Sequence, residues 1–185
     1  MYEKTVDGIK NALEAGLNIS INTPLCTKNR DYVKTLEFLH GLGVTYVTCS
    51  GLITTGNAAK EASESLQLSR DEIKDILQKA IDYAYANDME ISFTSPGWID
   101  DAEFFEKNGL NQPCCGACLS NMAITPGGNV VPCQSWLTDG DLGNFLETDW
   151  QKIWHSGKCE NRRYYSAMMT GLCPLRKEEG GSYEK

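Results

Sequence analysis

The sequence contains no long apolar run and no excess of positive charge, and each absence excludes a class of protein. Its longest apolar stretches fall well short of the roughly 20 residues that span a bilayer, and the polar, acidic segment from Met1 to Asp7 has no signal-peptide core. Seventeen Lys and Arg stand against 25 Asp and Glu, a formal net charge of −8. Because a chain without a basic stripe cannot displace counterions from phosphates, we expect neither a membrane nor a nucleic acid as partner.

Cysteine, by contrast, is abundant. The 185 residues include eight cysteines, at positions 26, 49, 114, 115, 118, 133, 159 and 173. Without a secretory signal we expect a cytoplasmic protein, in which thiols stay reduced. Clustered cysteines in that compartment bind metal more often than they form disulfides.

The first hundred residues alternate helical and β-strand patterns. Helical spacing of apolar residues covers 6–17, 32–39 and 73–84, and β-prone runs lie at 17–22, 44–49 and 90–94. Ser69 and Glu72 form a capping-box pattern at the start of the third helix. Such alternation predicts parallel strands joined by crossover helices. Three strands cannot close an eight-stranded barrel, so we expect an α/β fold with an open sheet or part of a larger barrel.

The pattern changes near residue 100. A short helix is predicted at 101–107, a hairpin around Pro126-Gly127-Gly128, and a helix over 149–169 interrupted at Gly157. A loop is expected over 50–68 and a frayed tail over 177–182. The predicted domains are therefore a β/α part at 1–98, a linker at 99–113 and a cysteine-rich part at 114–185.

The hairpin predicts that three cysteines meet. Cys115 and Cys118 are separated by two residues, and Cys133 stands at the far end of the hairpin. Since a hairpin returns its second strand to the start of the first, the Cys133 thiol is expected beside the other two. Three soft ligands at one place suit zinc or an iron–sulfur cluster. The expected fourth ligand is Cys173, with Cys159 and Cys114 as alternatives; Cys26 and Cys49 are expected to be structural.

These residues resemble a known family. Cys118-x9-Gly128-x4-Cys133 is similar to the opening signature of the SPASM domain, the C-terminal extension of many radical S-adenosylmethionine (SAM) enzymes. The surrounding residues resemble the same family over 124–133, at Leu142-Gly143-Asn144 and at Ile153-Trp154. The N-terminal half resembles the later β/α units of a radical SAM partial barrel.

The resemblance implies an auxiliary 4Fe–4S cluster, SAM as cofactor of the full-length parent, and a peptide or protein as substrate. The parent would be an oxidoreductase or peptide maturase. Polar residues at the ends of the first two strands, Asn22 and Ser50, would face the cofactor cleft of that family.

The sequence departs from the family in two places. No Cys-x3-Cys-x2-Cys loop, which holds the SAM-cleaving cluster in the family, occurs in the sequence, and Arg176 stands where a further SPASM cysteine would follow Cys173. We therefore expect a C-terminal fragment with one auxiliary cluster, unable alone to cleave SAM. An open barrel is also expected to self-associate through its strand edge and an exposed apolar face.

Two other interpretations remain open from the sequence. The chain could be a non-catalytic module whose cysteines hold structural zinc and whose sheet binds a partner. It could also be an α/β domain whose cysteines bind no metal.

Overall fold

The structure, a computed structural model, describes residues 2–53, 66–136, 141–168 and 173–175. The chain divides into two compact units, which we call the N-terminal unit (residues 1–52 and 65–112) and the C-terminal unit (residues 53–64 and 113–185). Most of the loop predicted over 50–68, and all of the tail predicted over 177–182, lie outside the described residues. None of the helices in the described ranges has the length and apolar character needed to cross a bilayer.

The N-terminal unit alternates helices with parallel strands. Its elements are α1 (Tyr2–Glu14), β1 (Ile21–Leu25), α2 (Tyr32–Gly41), β2 (Tyr46–Gly51), α3 (Arg70–Ala86), β3 (Glu90–Phe93) and α4 (Ala102–Lys107). The strands lie in the order β1-β2-β3, all parallel, with Ile21 opposite Val47 and Val47 opposite Ile91. Within the described residues this sheet is open rather than a closed barrel, which confirms the predicted α/β fold class.

One face of this sheet forms the core of the unit. Val47, Cys49, Ile91 and Phe93 are all buried, and they alternate with more exposed neighbours along their strands. The apolar stripes of α2 and α3 are buried too, as the helical spacing predicts. Each large apolar side chain removed from water in this way contributes about 1.5–3 kcal/mol, so this layer of helices on sheet dominates the stability of the unit.

The first two strands begin later than predicted, because the preceding helices end in caps that use the intervening residues. After α1, the N–H groups of Gly16 and Leu17 bond back to Leu13 and Ala12 at 2.9 and 3.0 Å, with Gly16 at φ 70°. This is the Schellman arrangement, and it leaves Leu17 in the cap rather than in the strand. Val44 is used in the same way after α2, its N–H bonding to the Leu39 carbonyl at 3.1 Å.

The first strand contains a proline, Pro24. It lies inside β1, paired with Ser50 of β2. β1 is an edge strand of the described sheet, and an edge position tolerates proline because the missing N–H has no strand to bond.

The second face of the sheet is polar. Asn22, Thr48 and Ser92 lie opposite one another across the three strands, and Thr48 Oγ1 donates to Asn22 Oδ1 at 3.0 Å. The other residues of the three strands on this face include polar Ser50 and Glu90 but also Pro24 and Tyr46, so the face is mainly polar rather than wholly so. Thr48 and Ser92 are half-exposed and Asn22 is exposed.

The C-terminal unit is built on a small antiparallel sheet. Its elements are β4 (Ala123–Ile124), β5 (Asn129–Val131), β6 (Gly143–Asn144), α5 (Trp150–Trp154) and α6 (Gly157–Met168). The predicted hairpin is confirmed as β4–β5, with Gly128 in its turn at φ 87°. The last helix is interrupted as predicted, but at His155 and Ser156 rather than at Gly157, which begins α6. β6 was not predicted, because two residues are too few to show an alternating pattern.

Asn144 of β6 fixes the hairpin turn. Its Nδ2 donates to the Gly127 carbonyl and to Asn129 Oδ1, both at 2.9 Å, while its Oδ1 accepts the Leu146 N–H at 2.8 Å. The Leu142-Gly143-Asn144 run therefore has a structural purpose. Asn144 holds the turn from which β5, the second hairpin strand, begins.

Candidate metal centre

A tight loop carries Cys115 and Cys118, both buried. The Gly116 carbonyl accepts the N–H groups of residues 119–121 at 2.9–3.0 Å, which folds the loop back on itself. A Cβ atom at Gly116 would lie 2.3 Å from Ser120 Oγ. Glycine is therefore the residue that this loop can accommodate between the two cysteines.

The returning hairpin strand lies against this loop. The Cys118 N–H is directed at the Asn121 carbonyl (3.0 Å) and at the Pro132 carbonyl (3.2 Å). Since Pro132 immediately precedes Cys133, the hairpin brings Cys133 to the Cys115–Cys118 loop. Cys118 itself has φ 56°, a left-handed conformation that costs a residue with a side chain about 1–3 kcal/mol and that these bonds maintain.

The thiols approach one another as two pairs. Cys159, which α6 supplies, lies close enough to Cys118 to raise the pKa of its thiol, and Cys115 is close enough to Cys133 to act on its ionisation. In the described ranges, no three His, Cys, Asp or Glu side chains surround one point closely enough to hold a metal ion. The arrangement is thus four thiols from three segments, not a preformed single-ion site.

Cys159 contacts one of the predicted cluster ligands, as was expected of Cys173. Cys159 is fully buried and touches Cys118, a predicted ligand. Cys173 is half-buried and Cys114 is exposed. Cys173 stays a predicted ligand, and the structure adds Cys159 as a fourth thiol in direct contact with the predicted set.

Burial makes the Cys118 thiol hard to ionise. It raises the pKa of Cys118 to about 12, with the adjacent Cys159 acting in the same direction and the charges of Arg162 and Arg163 opposing it. A buried thiolate is stable only beside positive charge or hydrogen-bond donors. A bound metal would supply such charge.

Cys133 also has a raised pKa, chiefly because of burial. The backbone N–H groups of Ser135 and Trp136 oppose the rise, while Cys115 adds to it; the Trp136 N–H donates to the Cys133 carbonyl at 3.0 Å. N–H donors of this kind around a cysteine sulfur are one of the means by which proteins tune iron–sulfur clusters.

Arg163 and Ser166 of α6 reach the same loop. Arg163 Nε donates to the Cys118 carbonyl at 3.0 Å, and its terminal nitrogen donates to the Cys159 sulfur at 3.5 Å. Ser166 Oγ donates to the Ala117 carbonyl at 2.6 Å and lies 3.7 Å from the Cys115 sulfur. The sequence analysis identified neither Arg163 nor Ser166 as part of the site. The spacing of 159, 163 and 166 on one helix face is the signal that could have identified them.

The remaining cysteines lie in the N-terminal unit, and all eight are free thiols. Cys49 is fully buried in the core, where burial raises its pKa to about 12. Cys26 follows β1, and its N–H donates to Asn29 Oδ1 at 2.7 Å. Burial of Cys49 agrees with the structural role expected for it.

Asn22 and Ser50 both lie on the polar face of the parallel sheet. Ser50 is the penultimate residue of β2, whereas Asn22 is the second residue of β1 rather than its last. Asn22 is exposed and Ser50 half-exposed. Because β1 starts later than predicted, Asn22 lies near the start of the strand and not at its end. Asn22 and Ser50 nevertheless lie on the same face of the sheet.

Comparison with known families identifies the cysteine-bearing region. Residues 105–176 match the model of the SPASM family, an iron–sulfur cluster-binding domain. The chain contains a SPASM domain. Comparison with curated proteins and with solved structures gave no match. The SPASM domain includes both thiol pairs, Arg163 and Ser166, as well as Cys114 and Cys173.

The donors of this SPASM domain fit an iron–sulfur cluster. Four thiols, three of them fully or almost fully buried, are the ligands that such clusters take. Each cysteine of a four-iron cluster binds a different iron, so the four sulfurs need not converge on one point. The two separate pairs are compatible with that requirement.

Proposed function

We propose that the SPASM domain of this chain holds one auxiliary 4Fe–4S cluster, and that the chain is part of a radical SAM enzyme that modifies a peptide or protein. The observation that carries the proposal is the approach of Cys115 to Cys133 and of Cys118 to Cys159 inside a domain whose family binds iron–sulfur clusters. Cys115, Cys118 and Cys133 are the proposed ligands. Cys159 is the favoured fourth ligand, and Cys173 is the alternative.

A bound cluster would supply one-electron transfer at a protein-set potential. The chain's own contribution is to bury the thiols, to direct the N–H groups of Ser135 and Trp136 at Cys133, and to place Arg163 beside Cys159. Because the sequence has no Cys-x3-Cys-x2-Cys loop, we propose that these 185 residues alone do not cleave SAM. The abundance of free thiols supports a cytoplasmic location.

Anaerobic reconstitution with ferrous iron and sulfide tests the cluster. We expect a brown protein with iron and sulfide in equal amounts. Cys118→Ser and Cys133→Ser should lose most of the iron and the visible absorbance, whereas Cys26→Ser, a thiol of the N-terminal unit, should retain both. Full iron content in the Cys118/Cys133 double variant would overturn the proposal, as would stoichiometric zinc in a protein that takes up no iron.

The fourth ligand is tested by a matched pair of variants. Cys159→Ser should reduce the iron content after reconstitution, and Cys173→Ser should leave it close to that of the unmodified chain. The reverse result would assign the position to Cys173.

We also propose that SAM binds on the polar face of the parallel sheet, with Asn22 and Ser50 among its contacts. The proposal is supported by the partly exposed hydrogen-bonding side chains of that face, where Thr48 Oγ1 donates to Asn22 Oδ1 at 3.0 Å. Equilibrium dialysis with labelled SAM should show weaker binding to Asn22→Ala and Ser50→Ala than to Lys79→Ala, an exposed position on α3. Equal binding to all three variants would contradict this assignment.

A further inference from the structure

One face of α6 presents a thiol, a guanidinium and a hydroxyl in succession. Cys159, Arg163 and Ser166 are spaced by four and three residues, which places them on the same side of a helix. Each of the three side chains contacts the Cys115–Cys118 loop or its thiols. The helix is therefore attached to the loop by polar contacts along about two turns.

Arg163 makes the most of these contacts. It donates to the Cys118 carbonyl at 3.0 Å, to the Trp154 carbonyl at the end of α5 at 3.0 Å, and to the Cys159 sulfur at 3.5 Å. Its guanidinium also lies 3.8 Å from the centroid of the Trp154 ring. A planar group with five fixed donors can make these bonds together, whereas a lysine ammonium at the same place could not.

The charge of Arg163 also matters, because thiolate ligands make an iron–sulfur centre negative. A nearby positive charge stabilises the form that carries one more electron, so it raises the reduction potential of the centre. Arg162 adds a second positive charge that acts on Cys118 and Cys133, and its guanidinium stacks on Trp136 at 4.1 Å. Arg162 thus acts through charge, while Arg163 combines charge with hydrogen bonds.

We propose that Arg163 is a positioning residue for the cluster: it holds the Cys118 and Cys159 segments together and raises the reduction potential of the bound cluster. This inference rests on the proposed iron–sulfur function. It goes beyond that function by assigning the control of the potential to a residue that is not itself a ligand.

The test compares Arg163→Gln, Arg163→Lys and Arg162→Gln with Lys152→Gln, which removes an exposed positive charge from α5. Each protein is reconstituted with iron and sulfide and titrated with dithionite, which donates one electron to each cluster. Compared with the unmodified chain, Arg163→Gln should shift the redox equilibrium about tenfold toward the oxidised cluster. For a one-electron couple this lowers the reduction potential by about 59 mV. Arg162→Gln should shift the potential in the same direction by less, and Lys152→Gln should not shift it.

Arg163→Lys separates charge from positioning. It should keep the potential near that of the unmodified chain but lose iron faster to a chelator, because the bonds to Cys118 and Trp154 are missing. If the unmodified chain holds a cluster and the Arg163 variants match it in potential and in rate of iron loss, the inference is overturned while the proposed function stands. If the unmodified chain takes up no cluster, both are overturned.

Discussion

At the scale of single residues, Gly128 shows how one backbone conformation supports the site. It has φ 87°, and a Cβ atom there would lie 2.7 Å from Oδ1 of Asn144, the residue whose side chain fixes the turn. We predict that Gly128→Ala destabilises the C-terminal unit by about 1–3 kcal/mol, the usual cost of forcing a side chain into such a conformation. Urea unfolding measures the loss.

Gly127 provides the matched control for this prediction. A Cβ atom at Gly127 would meet nothing within 4 Å. Gly127→Ala should therefore change the free energy of unfolding by no more than about 0.5 kcal/mol. Equal losses in the two variants would show that the turn does not depend on the conformation of Gly128.

At the scale of secondary-structure elements, the start of α3 depends on its capping box. Ser69 Oγ accepts the Glu72 N–H at 3.2 Å, and the Glu72 carboxylate accepts the Ser69 N–H at 2.9 Å. We predict that Ser69→Ala lowers the free energy of unfolding by about 1 kcal/mol. Ser69→Asp, which keeps an acceptor, should recover most of it in thermal or urea unfolding.

The pairing of α3 with the start of α4 should depend on pH. Lys74 of α3 bonds to Asp101, which also caps α4 through the Phe104 N–H at 2.9 Å; Lys74 first, and then this N–H, lower the pKa of Asp101. A lowered pKa stabilises the folded state above the ordinary value of 3.8, and this stabilisation is lost as the pH falls through the folded value.

We therefore predict that wild-type protein is more stable than Asp101→Asn at neutral pH and that the difference shrinks below about pH 4. Asparagine keeps a capping oxygen but no charge, so the comparison isolates the ion pair. Urea unfolding at neutral and acid pH measures it, and a difference that is constant across this range would contradict the prediction.

The individual helices and strands show where secondary-structure prediction from the sequence succeeded and where it did not. Apolar spacing identified α2 and α3 because each helix buries one face, and β3 lies where its β-prone run predicted. β1 and β2 start late because Leu17 and Val44 belong to helix caps. The apolar, β-prone character of these two residues gives no sign of that, since a Schellman cap depends on the glycine before it and on carbonyls of the preceding turn.

At the scale of the whole molecule, we predict self-association through a strand edge. β1 and β3 are the edges of the described sheet, and unpaired strand edges are templates for pairing with another chain. Proline in β1 weakens that edge, so β3 is the expected contact. Sedimentation should show concentration-dependent oligomers for the unmodified chain and fewer for Ser92→Lys, which places a charge on β3. A monomer at all concentrations would contradict the prediction.

The sequence by itself determined the local features of this protein. It predicted the amphipathic helices, the parallel direction of the strands, the glycine turn and the return of Cys133 to the loop of Cys118, because each follows from local residue patterns and their alternation along the chain. Only the tertiary structure decided that Cys159 joins Cys118 and that Arg163, 45 residues from Cys118, donates to its carbonyl. These contacts depend on how α6 packs against the loop, and packing between distant segments leaves no regular spacing in the sequence.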